Sequence, residues 1–178
     1  MNSFSQTSKY SIEANYPIPI GNNFLGEDAY GIIDVGLKYR FVALNPVKIG
    51  ISINGGVLVD NSNQNKSPQD YLITTYIIQP KMFAELDIAS IEKLHSFLGI
   101  GYTFVNVQLS GSNNGMDVSG ESDSLNGFSL NFGIIYDLTY KVFIQAQYDF
   151  TKLNIDDVPD IEFNTNVNLL KVGIGFRI

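Results

Sequence analysis

The chain has 178 residues, of which 44% are hydrophobic and only 16% are charged, and it contains no cysteine. This composition excludes an intrinsically disordered protein, and the lack of cysteine excludes disulfides, a thiol nucleophile and thiolate metal sites. The net charge of −7 argues against nucleic acid as a partner, because binding phosphates requires clustered lysine and arginine. No apolar run reaches the roughly 18 residues of a transmembrane helix, so the protein is either soluble or crosses a membrane by another route.

The first eight residues are mostly polar and follow no periodic pattern. Ser3, Phe4 and Ser5 have the small-x-small form of a signal-peptidase site, which would place cleavage before Gln6. We expect residues 1–8 to be either a signal-peptide remnant or a disordered N-terminus, and residues 9–178 to form one domain.

Apolar residues recur at every second position in eight segments of the chain, which predicts β-strands with two different faces. In chain order the segments are residues 10–20, 33–41, 47–59, 72–88, 94–104, 128–138, 142–150 and 170–178. Most are longer than the five or six residues of an ordinary strand. Within the third segment, Asn54-Gly55 is a strong hairpin signal, but the alternation continues through it and predicts one strand. Pro80 lies in the middle of the fourth segment, where it removes a ladder hydrogen bond and predicts a β-bulge.

The connections between these segments alternate between long and short. The long ones, such as residues 60–70 and 110–123, are rich in Gly, Asn, Ser and Asp, whereas those near residues 44–46, 89–93 and 139–140 are short. In an up-and-down sheet this alternation places every long loop at one end and every short turn at the other. Such an arrangement is typical of transmembrane β-barrels.

The charged residues identify the face that meets water. The apolar faces carry none, and the charges on the alternate faces are Glu13, Asp34, Lys38, Arg40, Lys48, Lys81, Glu85, Asp87, Asp137, Lys141, Asp149, Lys171 and Arg177. Turning one lysine or arginine toward lipid at the bilayer midplane costs about 2–4 kcal/mol, so these faces belong in the lumen. A soluble lipocalin-like barrel needs the opposite arrangement, with apolar residues inside. We therefore predict an all-β fold: an eight-stranded antiparallel up-and-down transmembrane β-barrel with a polar lumen and long loops at one end.

The sequence resembles a known family in its alternation, in its loop asymmetry and in two strands. These strands are Gly99-Ile100-Gly101-Tyr102 and the terminal Val172-Gly173-Ile174-Gly175-Phe176-Arg177-Ile178. It is similar to the small outer-membrane β-barrels of Gram-negative bacteria, of the OmpA transmembrane domain and OmpX type. The resemblance covers residues 9–178 and implies an outer-membrane location. It also implies that residues 170–178 are read by the outer-membrane assembly machinery, although this strand ends in Ile178 rather than in the usual aromatic residue.

Eight strands enclose little more than side chains, so we expect the lumen to be plugged. Its seven basic and six acidic residues nearly balance, which predicts an internal ion-pair network. A gated ion path is the alternative interpretation of the same residues.

The long loops are strongly acidic. Eleven acidic residues face only two basic ones, Lys66 and Lys152; the acidic ones are Glu27, Asp28, Asp60, Asp70, Asp117, Glu121, Asp123, Asp156, Asp157, Asp160 and Glu162. A solvated rim explains them. The sharper hypothesis is a divalent-cation site formed by Asp156, Asp157, Asp160 and Glu162, bridging to lipopolysaccharide phosphates.

The function predicted from the sequence is that of a non-enzymatic barrel whose acidic loops serve envelope integrity or surface interaction. The alternatives are a narrow channel for ions or small solutes, a lipid-modifying enzyme and a soluble binder. The single histidine, His95, lies beside a short turn with no nucleophile elbow, so we expect a rim or lumen residue rather than a catalytic one. We expect a monomer without cofactors, whose partners are the lipid bilayer and lipopolysaccharide.

Overall fold

Nine strands and one short helix form the part of the chain that the computed structural model describes, namely residues 8–21, 23, 25, 28–61, 63, 68–155 and 162–178. The strands are β1 (Tyr10–Ile20), β2 (Ala29–Leu44), β3 (Val47–Asp60), β4 (Gln69–Asp87), β5 (Leu94–Asn113), β6 (Met116–Asp117), β7 (Ser122–Asp137), β8 (Val142–Asn154) and β9 (Asn166–Arg177), and the helix is α1 (Glu162–Thr165). All eight predicted segments lie within β-strands, apart from single residues at their ends.

Eight of these strands close into one antiparallel barrel. Their order around the barrel is β4, β3, β2, β1, β9, β8, β7 and β5, and pairing between β5 and β4 closes the ring. The remaining strand, β6, pairs only with the end of β5. The predicted eight-stranded up-and-down topology is confirmed. No helix among the described residues is long and apolar enough to span a membrane.

The two faces of the wall carry opposite chemistry, as the alternation predicts. Ile51 and Ile53 point outward and are each 49% exposed, whereas Lys81 and Glu85 point inward and are 5% and 1% exposed. Aromatic and aliphatic side chains continue this outward belt around the barrel, including Leu37, Met82, Ile100 and Phe132. The apolar face therefore meets acyl chains and the charged face lines the lumen.

The two local sequence signals have different outcomes. β3 runs without interruption through Asn54-Gly55, as predicted. The bulge predicted at Pro80 is wrong, because the register between β4 and β5 is the same on both sides of this residue. Pro80 lacks an N–H donor and interrupts the ladder without adding a residue to the strand. The register shifts lie instead in β2, near Ile32 and Phe41.

At the end of the barrel that carries the long connections, hereafter the long-loop end, the strands extend beyond the predicted segments. β5 continues to Asn113 and β7 begins at Ser122, so most of the predicted loop 110–123 is a hairpin that includes β6. The outward apolar alternation of β5 ends at Phe104, and beyond it the apolar side chains of Val105 and Val107 turn to the inside of the barrel. The alternation on the lipid face therefore does not reveal this extension.

The lumen is polar in its middle and at the short-turn end, as predicted, and it also holds two apolar clusters that the alternation does not predict. Near the long-loop end, buried apolar side chains form a cluster that we call the upper plug; its members are Leu25, Leu58, Ile77, Val105, Leu153, Val167 and Leu169. Toward the opposite end, which carries the short turns, Phe97, Ile135 and Phe143 form a second buried cluster, the lower plug. Gly175 lies against the Phe143 ring, which would overlap any β-carbon at that position.

Candidate functional site

Ion pairs cross the middle of the lumen. The ammonium of Lys38 on β2 lies 2.7 Å from a carboxylate oxygen of Glu13 on β1, and its Nζ also donates to Gln145 of β8 at 3.2 Å. The other oxygen of Glu13 accepts a hydrogen bond from the Asn54 amide at 3.0 Å. All four side chains are buried. Lys38 also lies 4.5 Å from the centre of the Phe97 ring, so the ion pair rests directly on the lower plug.

Lys171 on β9 joins three other strands at one point. Its ammonium lies 2.7 Å from Asp34 of β2 and 2.9 Å from Asp149 of β8, and it donates to Gln79 of β4 at 2.8 Å. β9 and β4 are four strands apart in a ring of eight, so the last of these bonds spans the full width of the lumen. Lys81 lies farther from Asp149, at 3.8 Å.

A second group of charges lines the short-turn end. Arg40 donates from two of its nitrogens to one Glu85 oxygen, at 2.8 and 3.0 Å. The other Glu85 oxygen lies 3.4 Å from the ammonium of Lys48, which also contacts Asp87 at 2.5 Å. These side chains border a cavity of about 670 Å³ at this end of the barrel, which we call the mouth.

His95 connects two carboxylates within the mouth. Its Nδ1 lies 2.6 Å from Asp87, and its Nε2 lies 3.0 Å from Asp137. Arg177 in turn contacts the other oxygen of Asp137 at 2.6 Å. The sequence places His95 at the rim or in the lumen, and the structure places it 6% exposed at the inner edge of the mouth.

The predicted lumen residues therefore separate into a central group and a mouth group, with one exception. Glu13, Asp34, Lys38, Lys81, Asp149 and Lys171 lie in the centre, and Arg40, Lys48, Glu85, Asp87, Asp137 and Arg177 lie at the mouth. The exception is Lys141, which is exposed in the turn between β7 and β8 and lies 5.7 Å from the rings of Tyr140 and Phe176. Its side chain follows the outer wall, because the turn releases it from the inward phase of the strand.

The predicted cation site in the last long loop lies largely outside the described residues. Asp156, Asp157 and Asp160 lie outside the described residues, and of Glu162 the structure describes only its position at the start of α1.

Another loop carboxylate, Asp117, lies in the hairpin beyond the membrane, where the backbone N–H of Ser119 donates to it at 2.8 Å. This hydrogen bond lowers the pKa of the Asp117 carboxyl, because it favours the charged form.

Sequence reasoning missed the two plugs. Four members of the upper plug occupy the inward phase of their strands, which is interpreted as polar because it also carries the charged residues. They are Leu58, Ile77, Val105 and Leu153. The signal was available, since each lies an even number of residues from an inward polar side chain on the same strand. It was not decisive, because only the closed barrel shows that these side chains meet.

Comparison with known proteins identifies the family of this closed barrel. The model of the outer membrane protein beta-barrel domain matches residues 2–177. The chain belongs to this family. It is an integral β-barrel of the bacterial outer membrane. In barrels of this kind the longer loops are extracellular and the short turns are periplasmic.

Solved structures support the same fold at low sequence identity. Neisserial surface protein A is 16% identical with a TM-score of 0.64, and the alignment covers 96% of this chain and 98% of that one. Ail from Yersinia pestis, solved with the heparin analogue sucrose octasulfate, is 14% identical with a TM-score of 0.61 and coverages of 96% and 97%. The N-terminal barrel of Pseudomonas aeruginosa OprF is 13% identical with a TM-score of 0.57 and coverages of 94% and 95%. None of the curated proteins matches the sequence.

Proposed function

We propose that this outer-membrane protein is a closed, non-conducting barrel that carries acidic surface loops for envelope integrity or surface interaction. The observation that carries the proposal is the position of Lys171, whose contacts with Asp34, Asp149 and Gln79 tie opposite walls together across the lumen. The upper and lower plugs lie on either side of this layer and leave apolar side chains in the path of any ion.

Planar-bilayer recording tests this proposal against the narrow-channel alternative. The purified protein is first shown to be folded, because a folded barrel migrates differently on a gel from the same protein after boiling. It is then added to a bilayer at neutral pH. We expect no discrete conductance steps, whereas a general diffusion porin added to the same bilayer produces them. Regular steps from this protein at similar protein amounts would contradict the closed barrel and favour the narrow channel.

The non-enzymatic part of the proposal is supported by the contacts of His95. Both of its ring nitrogens face carboxylates, of Asp87 and Asp137, so neither is placed to take a proton from a hydroxyl nucleophile. We expect no hydrolysis of phospholipid or lipid A by the folded protein in detergent. Turnover that disappears in His95→Gln would overturn this part.

The acidic loops define the surface partner by charge. Eleven acidic residues against two basic ones repel sulfated saccharides, although the related Ail was solved with such a ligand. We expect the protein to pass through a heparin column at low salt. Retention would show that a basic surface outweighs the loops.

Divalent cations, held by Asp156, Asp157, Asp160 and Glu162, would bridge the loops to lipopolysaccharide. Absence of calcium binding in calorimetry would exclude this bridge.

The C-terminal strand is proposed as the segment read by the assembly machinery. Residues 170–178 belong largely to β9, which pairs with both β1 and β8 and thereby joins the two ends of the chain. Its outward side chains include Val172, Ile174 and Phe176. Replacing Phe176 by Ala should lower the amount of folded barrel in the outer membrane, measured by gel migration of unboiled membranes. Unchanged amounts would contradict this role.

A further inference from the structure

The mouth combines an imidazole with carboxylates in a position that water and ions can reach. Glu85 and Asp87 are two residues apart on the inward face of β4, and His95 is the register partner of Asp87 on β5. One donor atom from each of these three residues lies within 4.8 Å of the others. They border the cavity of about 670 Å³, which opens toward the periplasm.

Asp137 lies behind His95, in the position of the carboxylate that often supports a histidine ligand in metal sites. His95 Nε2 lies 3.0 Å from Asp137, and a ring that donates its Nε2–H there turns its Nδ1 lone pair toward Asp87. Arg177 holds Asp137 in place at 2.6 Å. A carboxylate behind a histidine ligand fixes the tautomer and the orientation of the ring, and it strengthens metal binding.

The place between the carboxylates already holds a cation. The ammonium of Lys48 lies 2.5 Å from Asp87 and 3.4 Å from Glu85, while Arg40 occupies only the other Glu85 oxygen. The Lys48 side chain reaches this place from β3, is 14% exposed and borders the cavity. Asp87 is 32% exposed and borders the same opening.

We propose that Glu85, Asp87 and His95 bind a divalent transition metal of the zinc type in place of the Lys48 ammonium. One imidazole with two carboxylates suits zinc, whereas calcium and magnesium require more oxygen ligands. Zinc bonds to oxygen and nitrogen are about 2.0–2.2 Å long, so donor atoms this close converge on one ion after small side-chain rotations. Bound metal would join β4 and β5 at the periplasmic opening.

Calorimetry with Zn²⁺ tests the site on the full chain in detergent, prepared without a histidine tag because a tag binds zinc. We expect one zinc per barrel, no binding at this site in His95→Gln, and affinity lower by about 10- to 100-fold in Asp137→Asn. Lys48→Met removes the competing ammonium, so we expect it to bind zinc more tightly than the unmodified protein.

Two controls keep the outcome decisive. Asp117→Asn removes an exposed carboxylate outside the mouth and should leave the zinc affinity unchanged. Gel migration of unboiled samples shows that each variant is folded, and Asp87→Asn replaces His95→Gln if the latter does not fold. Zinc binding that persists at full affinity in the histidine variant would overturn the site and assign the metal to the loops. Weaker binding in Lys48→Met would also overturn the proposal, because it would show that the metal does not take the place of the ammonium.

Discussion

The middle of the lumen and its long-loop end are both fully buried, yet they are filled by opposite chemistry. Around Lys171 the space is occupied by charges that satisfy one another across the barrel. Around Leu58, which is 0% exposed, it is occupied by apolar side chains from several strands. A buried charge is tolerated only while its partner is present, whereas an apolar cluster depends on filled volume. Single substitutions in the two regions should therefore act by different mechanisms.

The largest effect is expected from Lys171→Met. This change removes the cation beside Asp34 and leaves Asp149 with the more distant ammonium of Lys81 and the hydrogen bond from Gln147. Loss of one partner from a buried ion pair costs about 3–5 kcal/mol. Urea unfolding of the barrel in detergent, followed by tyrosine fluorescence and gel migration, measures the change in free energy. A loss below about 1 kcal/mol would show that water solvates the middle of the lumen.

Leu58→Ala should follow, with a loss of about 2–5 kcal/mol, because it leaves a cavity in the upper plug. Ile53→Ala on the same strand is the matched control. Ile53 faces the outer belt and is 49% exposed, so lipid or detergent fills the space that its truncation opens. The same unfolding experiment should give a smaller loss for this control. Equal losses would contradict the plug as a packed core.

The smallest effect is expected from Lys81→Met. Its ammonium is buried but lies 3.8 Å from Asp149, which keeps its contact with Lys171 at 2.9 Å. Because Asp149 keeps its closer partner, the change leaves no uncompensated carboxylate, and it removes an ammonium that is costly to bury at this distance from a carboxylate. We expect a change within about 1 kcal/mol in either direction. A loss as large as that of Lys171→Met would show that both lysines are equal members of the network.

The sequence predicts the wall of the barrel well because lipid imposes a strict rule on one face. Each strand in the bilayer needs an apolar residue at every second position, and this rule carries the prediction through Asn54-Gly55 against a strong turn signal. The rule ends where the bilayer ends. The rule therefore does not predict the hairpin of β5, β6 and β7. Pro80 predicts a bulge, but the register of β4 with β3 and with β5 is the same on both sides of this residue.

The sequence also predicts only part of the site at the mouth. Alternation places Glu85, Asp87 and Asp137 on the lumen face, and the nearby short turn places His95 at the same end. It does not show that His95 lies between two carboxylates, because Asp137 belongs to β7 and Asp87 to β4. Nor does it separate Lys141 from the lumen residues, since Lys141 is the last residue of the turn and lies directly before β8.

By itself, the sequence determined the eight strands of the barrel wall and the face that meets lipid, because apolar residues recur along each strand with a period of two. The alternation of long and short connections determined which end carries the long loops. Only the tertiary structure decided which charge meets which. Lys171 and Gln79 are 92 residues apart and come within 2.8 Å because eight strands close into a ring. Closure also brings the leucines of separate strands together as a plug, a contact that no single strand encodes.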